Sequence, residues 1–189
     1  MEKCEAIWKQ KRGDKAERET IYSWLDYRKK LTQQRRKRYT VVYPASATYL
    51  CAAVVEKPSS DGQTTSFVSE SKLYYHDTDS RQEAHYVSGI LNSPYLDAEL
   101  KPLQSKGDFG PRDIHKKMWA FPIPGYAAED KKHRELAALG EGCSKATQEF
   151  LENAPVKLRQ GSLGRLRGLI RENLKGQLSE IDAIVKGIL

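Results

Sequence analysis

The chain has 189 residues, 39% hydrophobic and 30% charged, with a formal net charge of +7. That length suits one domain, or one domain with a helical extension, and the basic excess favours a polyanionic partner, nucleic acid ahead of a membrane surface. No apolar run approaches the roughly 18 residues of a membrane span and no signal-peptide pattern opens the chain, so a cytoplasmic protein is expected. Cys4, Cys51 and Cys143 are odd in number, far apart and outside any zinc spacing, which reads as free thiols in a reducing compartment. The polar helical start, MEKCEAIWKQ, suggests a piece cut from a longer protein.

In chain order, residues 2–12 and 15–32 are helix-like, with Ile21, Trp24, Leu25 and Leu31 forming an amphipathic stripe. From Arg28 to Arg38 there are seven basic residues and no acidic one, a block with Arg35, Arg36, Lys37 and Arg38 at its end. A helix terminus favours some cations, but this run exceeds that need and is a candidate for phosphate contact. Residues 39–44 and 47–56 are rich in Val, Tyr, Thr and Ala and predict strands; 58–64 reads as a hairpin-type loop, and 65–69 and 73–76 as two more strands.

Residues 77–80 offer caps for a helix over 83–91, which Asn92-Ser93-Pro94 interrupts before a second helix over about 95–103. A long helix is predicted over 128–152, with Leu136, Leu139, Phe150 and Leu151 as core positions and with Gly140 and Gly142 weakening its middle. Pro155 marks a break, and Leu163, Leu166, Ile170, Leu174, Leu178, Ile181, Ile184, Val185 and Ile188 then form a final stripe at helical spacing, the pattern of core or helix-pair packing. The expected class is α+β: a small antiparallel sheet with flanking helices and a carboxyl-terminal helical hairpin or tail. The division is 1–38 for the basic-ended helices, 39–127 for the sheet-plus-helix module and 128–189 for the helical tail.

Stand-alone catalysis has little support. The chain has no Walker-type phosphate loop, no G-x-S-x-G and no H-E-x-x-H, and His76, His85, His115 and His133 show no metal-ligand spacing. His85 and His133 read as ordinary surface or half-buried helix residues. Asn92-Ser93-Pro94-Tyr95 is similar to the Asn-Pro-Pro-aromatic signature of amino-methyltransferases, but its middle proline is serine and no cofactor-binding strand and glycine turn lie upstream. A helix break explains it better.

The stretch 101–124, KPLQSKGDFGPRDIHKKMWAFPIP, is the most informative. Gly107 and Gly110 permit close backbone approach to a phosphate, and the segment 119–124 can dock the loop on a core. Arg112 can make bidentate bonds to guanine or phosphate; Lys106, Lys116 and Lys117 supply less specific cationic contacts, and Gln104 and Ser105 neutral ones. Asp113 can fix Arg112, accept from cytosine or cap a short turn, and with His115 is expected to hold the loop together. An ordinary surface loop has the same residue types.

The segments EAHYVSGILNSPYLD, LQSKGDFGPRDIHKKMWAFPIPGY and HRELAALG resemble, in order and spacing, the carboxyl-terminal part of large adenine-specific DNA methyltransferases of type II restriction–modification systems. The resemblance covers roughly residues 22–142; its motif positions are Gly107, Phe109, Gly110, Arg112, Asp113, Ile114 and His115, with Pro122 and Pro124 behind. It implies a target-recognition module that binds double-stranded DNA, without the part that binds S-adenosylmethionine and carries the catalytic site. No cofactor and no activity are expected of these residues alone; S-adenosylmethionine would belong to the parent enzyme, whose catalytic domain would be a partner. The alternative is a helical scaffold module that docks a partner subunit or the catalytic domain, with self-association through 162–188.

Overall fold

The computed structural model describes residues 2–26, 29–34, 37–56, 67–70, 72–107 and 110–189, with only the backbone of Lys106, Gly107, Gly110 and Pro111. The hairpin-type loop expected at 58–64, the first residues of the strand expected at 65–69, Arg35, Arg36 and Phe109 lie outside the described residues.

Strand β1 (Tyr39–Pro44) has the β-branched and aromatic residues that suit a pleated surface, and it is central in a three-stranded antiparallel sheet of order β2-β1-β3. Its partners are β2 (Ala53–Glu56) and β3 (Leu73–Thr78), in registers that set Val41 opposite both Val54 and His76. The predicted strand over 47–56 is therefore shorter. Leu50 and Ala52 donate their N–H groups to the side chains of Asp97 (2.6 Å) and Asn92 (3.0 Å), and a backbone served this way makes no ladder. At 67–69 there is no strand either, because Ser69 exchanges backbone bonds with the Gln34 amide (2.8 and 2.6 Å).

The helix expected over 15–32 is also cut down. After α1 (Glu2–Lys11) and a 3-10 turn at Asp14–Ala16, α2 spans only Ile21–Leu25, capped by Thr20. Asp26 ends it: its carboxylate accepts from the N–H groups of Leu31 (2.7 Å) and Thr32 (3.3 Å) and from the Thr32 hydroxyl (2.5 Å), and Lys29 takes a positive φ of 57°. A local side-chain bond has displaced the helical one.

The core forms where β1 meets helix α3 (Arg81–Asn92), whose residues 84–91 are all buried. Ser80 caps α3 by accepting from the Glu83 N–H (3.1 Å). Pro94 opens α4 (Pro94–Leu100) at its first turn, where its missing N–H costs nothing. Helix α5 (Lys131–Asn153) is capped by Asp130 and packs along α3. Gly140 does not merely weaken α5: a Cβ built there would overlap the His85 carbonyl oxygen, and one at Gly89 would stand 3.2 Å from Leu136. The two glycines let the helix backbones approach closely.

Of the predicted core positions on α5, Leu136 is fully buried, while Leu139, Phe150 and Leu151 are half-buried. His85 and His133 are both buried, deeper than their polarity suggests. The Nδ1 of His133 accepts from the Ala127 N–H (3.0 Å), so its ring proton sits on Nε2, 3.5 Å from the Tyr86 hydroxyl, which donates to the Pro124 carbonyl (3.0 Å).

After α6 (Val156–Arg159) and α7 (Leu163–Asn173), α8 (Lys175–Val185) returns to the same core through Leu178, Ile181 and Val185. Asp182 accepts from the Ser93 hydroxyl (2.6 Å) and the Tyr95 N–H (3.0 Å), tying α8 to the start of α4. The stripe of α8 is thus used within the chain, whereas Leu163 and Leu169 of α7 remain exposed. Among the described residues, no helix is long and apolar enough to cross a membrane.

Candidate nucleic-acid interface

The loop at 104–117 is fixed at its base by backbone bonds to the turn after β1. Ala47 donates to the Arg112 carbonyl (2.8 Å), Ser46 and Asp113 form an isolated bridge, and the Ala45 carbonyl accepts from both Ile114 (2.9 Å) and His115 (3.0 Å). Ile114 and Met118 are fully buried and belong to the main core cluster. These two, with the half-buried Phe121 and Ile123, anchor the loop; Trp119, expected to share that task, is 40% exposed.

The outer part is a tight antiparallel hairpin, β4 (Lys106–Gly107) with β5 (Gly110–Pro111), in which Gly107 pairs with Gly110. Below it Asp113 braces both limbs: one carboxylate oxygen accepts from the Ser105 N–H (2.6 Å), the other from the Lys117 ammonium (2.5 Å). These bonds, that to Lys117 first, hold the Asp113 carboxyl well below the usual carboxylate range. His115 has a φ of 44°, uncommon for a residue with a Cβ, and its Nδ1 lies 3.3 Å from the Tyr74 hydroxyl.

The candidate contacts divide. Arg112, Lys116 and Ser105 have exposed side chains, and Lys117 is half-buried with its charge committed to Asp113. Gln104 is only 5% exposed, and neither polar atom of its amide has a hydrogen-bond partner among the described residues. That places it under the loop and away from a docking surface. Lys106 lies at the base of the hairpin.

The second basic set is more neutral than its local sequence suggests. Lys37 pairs with Asp79, and Arg38 with Glu56 at 2.9 Å, while the Arg38 N–H donates to Asp79. These carboxylates are distant in sequence and stand at the ends of β2 and β3 that flank the start of β1, which a local count of charges cannot see. Lys37 and Arg38 also precede β1 whereas Ala45 follows it, and the strand between them is about 17 Å long. Among the described residues, Lys37 and Arg38 do not join the loop in one patch.

An aromatic cluster beside the loop was not among the sequence candidates. Tyr43 stacks on Tyr74 (centroids 5.6 Å apart, 12° between planes), His115 meets the Tyr74 ring edge-on, and Trp119 lies 6.2 Å from His76. Trp119 donates its indole N–H to the Tyr43 hydroxyl (3.0 Å), and burial pushes the Tyr43 phenol up to about 12. The signal was present in the alternation of Tyr74 and His76 along β3, which puts both on one face of the sheet. A surface that carries both exposed cations and an exposed indole can combine phosphate contact with stacking on a base.

Asn92 has a structural task. Its amide donates to the carbonyls of Ala52 and Ser88 (2.9 Å each) and accepts from the Ala52 N–H, clamping the chain between β1 and β2 to α3. No family model, curated protein or solved structure matches the chain.

Proposed function

We propose that this chain is the DNA-binding target-recognition module of an adenine-specific DNA methyltransferase of a restriction–modification system, working beside a catalytic domain that binds S-adenosylmethionine. The observation that carries this reading is the loop at 104–117. Its backbone is tied to the Ala45–Ala47 turn and its limbs are braced by Asp113, while the side chains of Arg112, Lys116 and Trp119 are exposed. A shape held from below with cations above suits a surface that must meet a duplex in one orientation. Arg112 would read guanine or grip a phosphate, Lys116 would add a phosphate contact, and Ser105 a neutral one.

Fluorescence anisotropy with a labelled duplex tests this at about 50 and 200 mM salt, between which affinity should fall steeply. Lys116→Ala should lower the slope of log affinity against log salt by about one. In the parent enzyme, Arg112→Ala should impair methylation with an unchanged melting temperature. Binding that is absent, or indifferent to salt, sinks the reading.

A scaffold role is favoured by a different observation: Ile7, Tyr22, Trp24 and Leu25 of α1 and α2 are each more than half exposed. If they dock a partner domain or a second copy, Trp24→Ser with Leu25→Ser should abolish the association seen by light scattering and leave duplex binding intact.

A further inference from the structure

Between the outer strand β2, the crossing of α3 on α5, and helices α7 and α8 lies a cleft of about 750 Å³. That is the size of a small-molecule site, for which about 300–1,000 Å³ is usual. Its interior is apolar, with Ala52, Val54, Cys143, Leu166, Ile170 and Leu174 among the walls. Helix α7 roofs it without burying any residue of its own, so the gap is not closed by packing.

The rim is cationic. Arg167 and Arg171, one turn apart on α7, line the cleft with Arg159, against one carboxylate, Glu152, among the described lining residues. The Arg171 guanidinium lies over the Tyr49 ring at 4.8 Å. Both arginines reach Tyr49 and Cys51 electrostatically, opposing the upward push that burial gives each of those groups. The Tyr49 hydroxyl is buried and has no hydrogen-bond partner among the described residues. Arg159 and Arg167 form no ion pair among the described residues.

We propose that this cleft binds a small apolar carboxylate, of the size of a medium-chain fatty acid, with its hydrocarbon between β2 and α5 and its carboxylate on Arg167 and Arg171. Apolar walls select the hydrocarbon. A planar guanidinium matches a carboxylate in two parallel hydrogen bonds, and the excess of cations on the rim disfavours a positive head group. The proposal is independent of DNA binding, because none of its residues belongs to the loop at 104–117.

Calorimetric titration with dodecanoate, below its micelle-forming concentration, should show one saturable site. Dodecyltrimethylammonium, with the same chain and the opposite charge, should bind at least about tenfold more weakly. Arg167→Gln with Arg171→Gln should weaken dodecanoate by about tenfold or more, and Thr147→Phe, which fills the cleft from α5, should do the same. Circular dichroism and melting show whether each variant is folded. A readout without mutation comes from the thiols: dodecanoate should slow alkylation of Cys51 and Cys143 by N-ethylmaleimide, while exposed Cys4 reacts at its own rate. Equal affinity for the two amphiphiles, absence of saturable binding, or unchanged alkylation of both cleft thiols overturns the proposal.

Discussion

At the crossing of α3 on α5, Gly89 and Gly140 bring two helix backbones together and the surrounding side chains are nearly all apolar. In the loop at 104–117, Gly107 and Gly110 pair across a hairpin, and the limbs are held by one half-buried carboxylate and a few backbone bonds. The crossing resists by steric fit and depends on ionisation only through the buried His85, whose protonation opposes folding. The loop depends on ionisation, so acid can alter it without unfolding the chain. A binding surface built on a fixed core has this division: the core decides where the loop sits, and the polar braces decide its shape.

The largest expected effect breaks the first half of that contrast. Gly140→Ala must push α5 off the His85 carbonyl, which should cost about 3 kcal/mol in urea-induced unfolding. Gly142→Ala, two residues on with nothing within 4 Å of the added Cβ, should instead gain about 0.5–1 kcal/mol from helix propensity. Equal effects at the two positions would refute the steric reading. Next comes Asp182→Ala, which leaves the Ser93 hydroxyl and the Tyr95 N–H without their acceptor and frees α8 from α4; a loss of about 1–2 kcal/mol is expected in the same assay.

A smaller effect separates core from loop by pH. Burial lowers the affinity of His85 for a proton, and its Nδ1 has no partner among the described residues. The unfolded chain therefore takes up a proton that the folded one refuses, so stability is full above pH 6.5 and declines as pH falls below it. Chemical denaturation from pH 8 to pH 5 should show that decline, and His85→Gln should flatten it.

The sequence made some of this visible. β1 was legible to the residue because its β-branched and aromatic run is strong, and α3 because Ser80 caps an apolar period. What escaped was decided by side chains acting across the chain. Asp26 cut a helix short, Asn92 and Asp97 took the backbone bonds of a would-be strand, and Asp79 and Glu56 neutralised part of a basic block. Gly140 looked like a weak point because propensity is local, whereas its use appears only where α3 passes. At the candidate site, the residue types of the loop were readable. Its bond to Ala45, the burial of Gln104 and the nearness of Trp119 to Tyr43 were not, because each depends on contacts between segments far apart in sequence.

The smallest effect on stability is expected at Asp113, and it discriminates best. Its carboxyl is held below the ordinary range, so what it adds to the loop is complete above pH 3.8 and is lost as the pH falls below that value. Asp113→Asn removes the ion pair to Lys117 while keeping an acceptor for Ser105; the melting temperature should scarcely move, and hydrogen exchange at the Ser105 amide should quicken. The same change takes one negative charge from the loop and releases the Lys117 ammonium, which by charge alone strengthens attraction to a duplex. If the loop works by shape, Asp113→Asn should nonetheless bind duplex more weakly than the parent chain, because Arg112 and Lys116 lose a fixed base. Tighter binding would mean that the loop is only a store of positive charge, and the difference between a fixed core and a braced reading surface would then have no bearing on recognition.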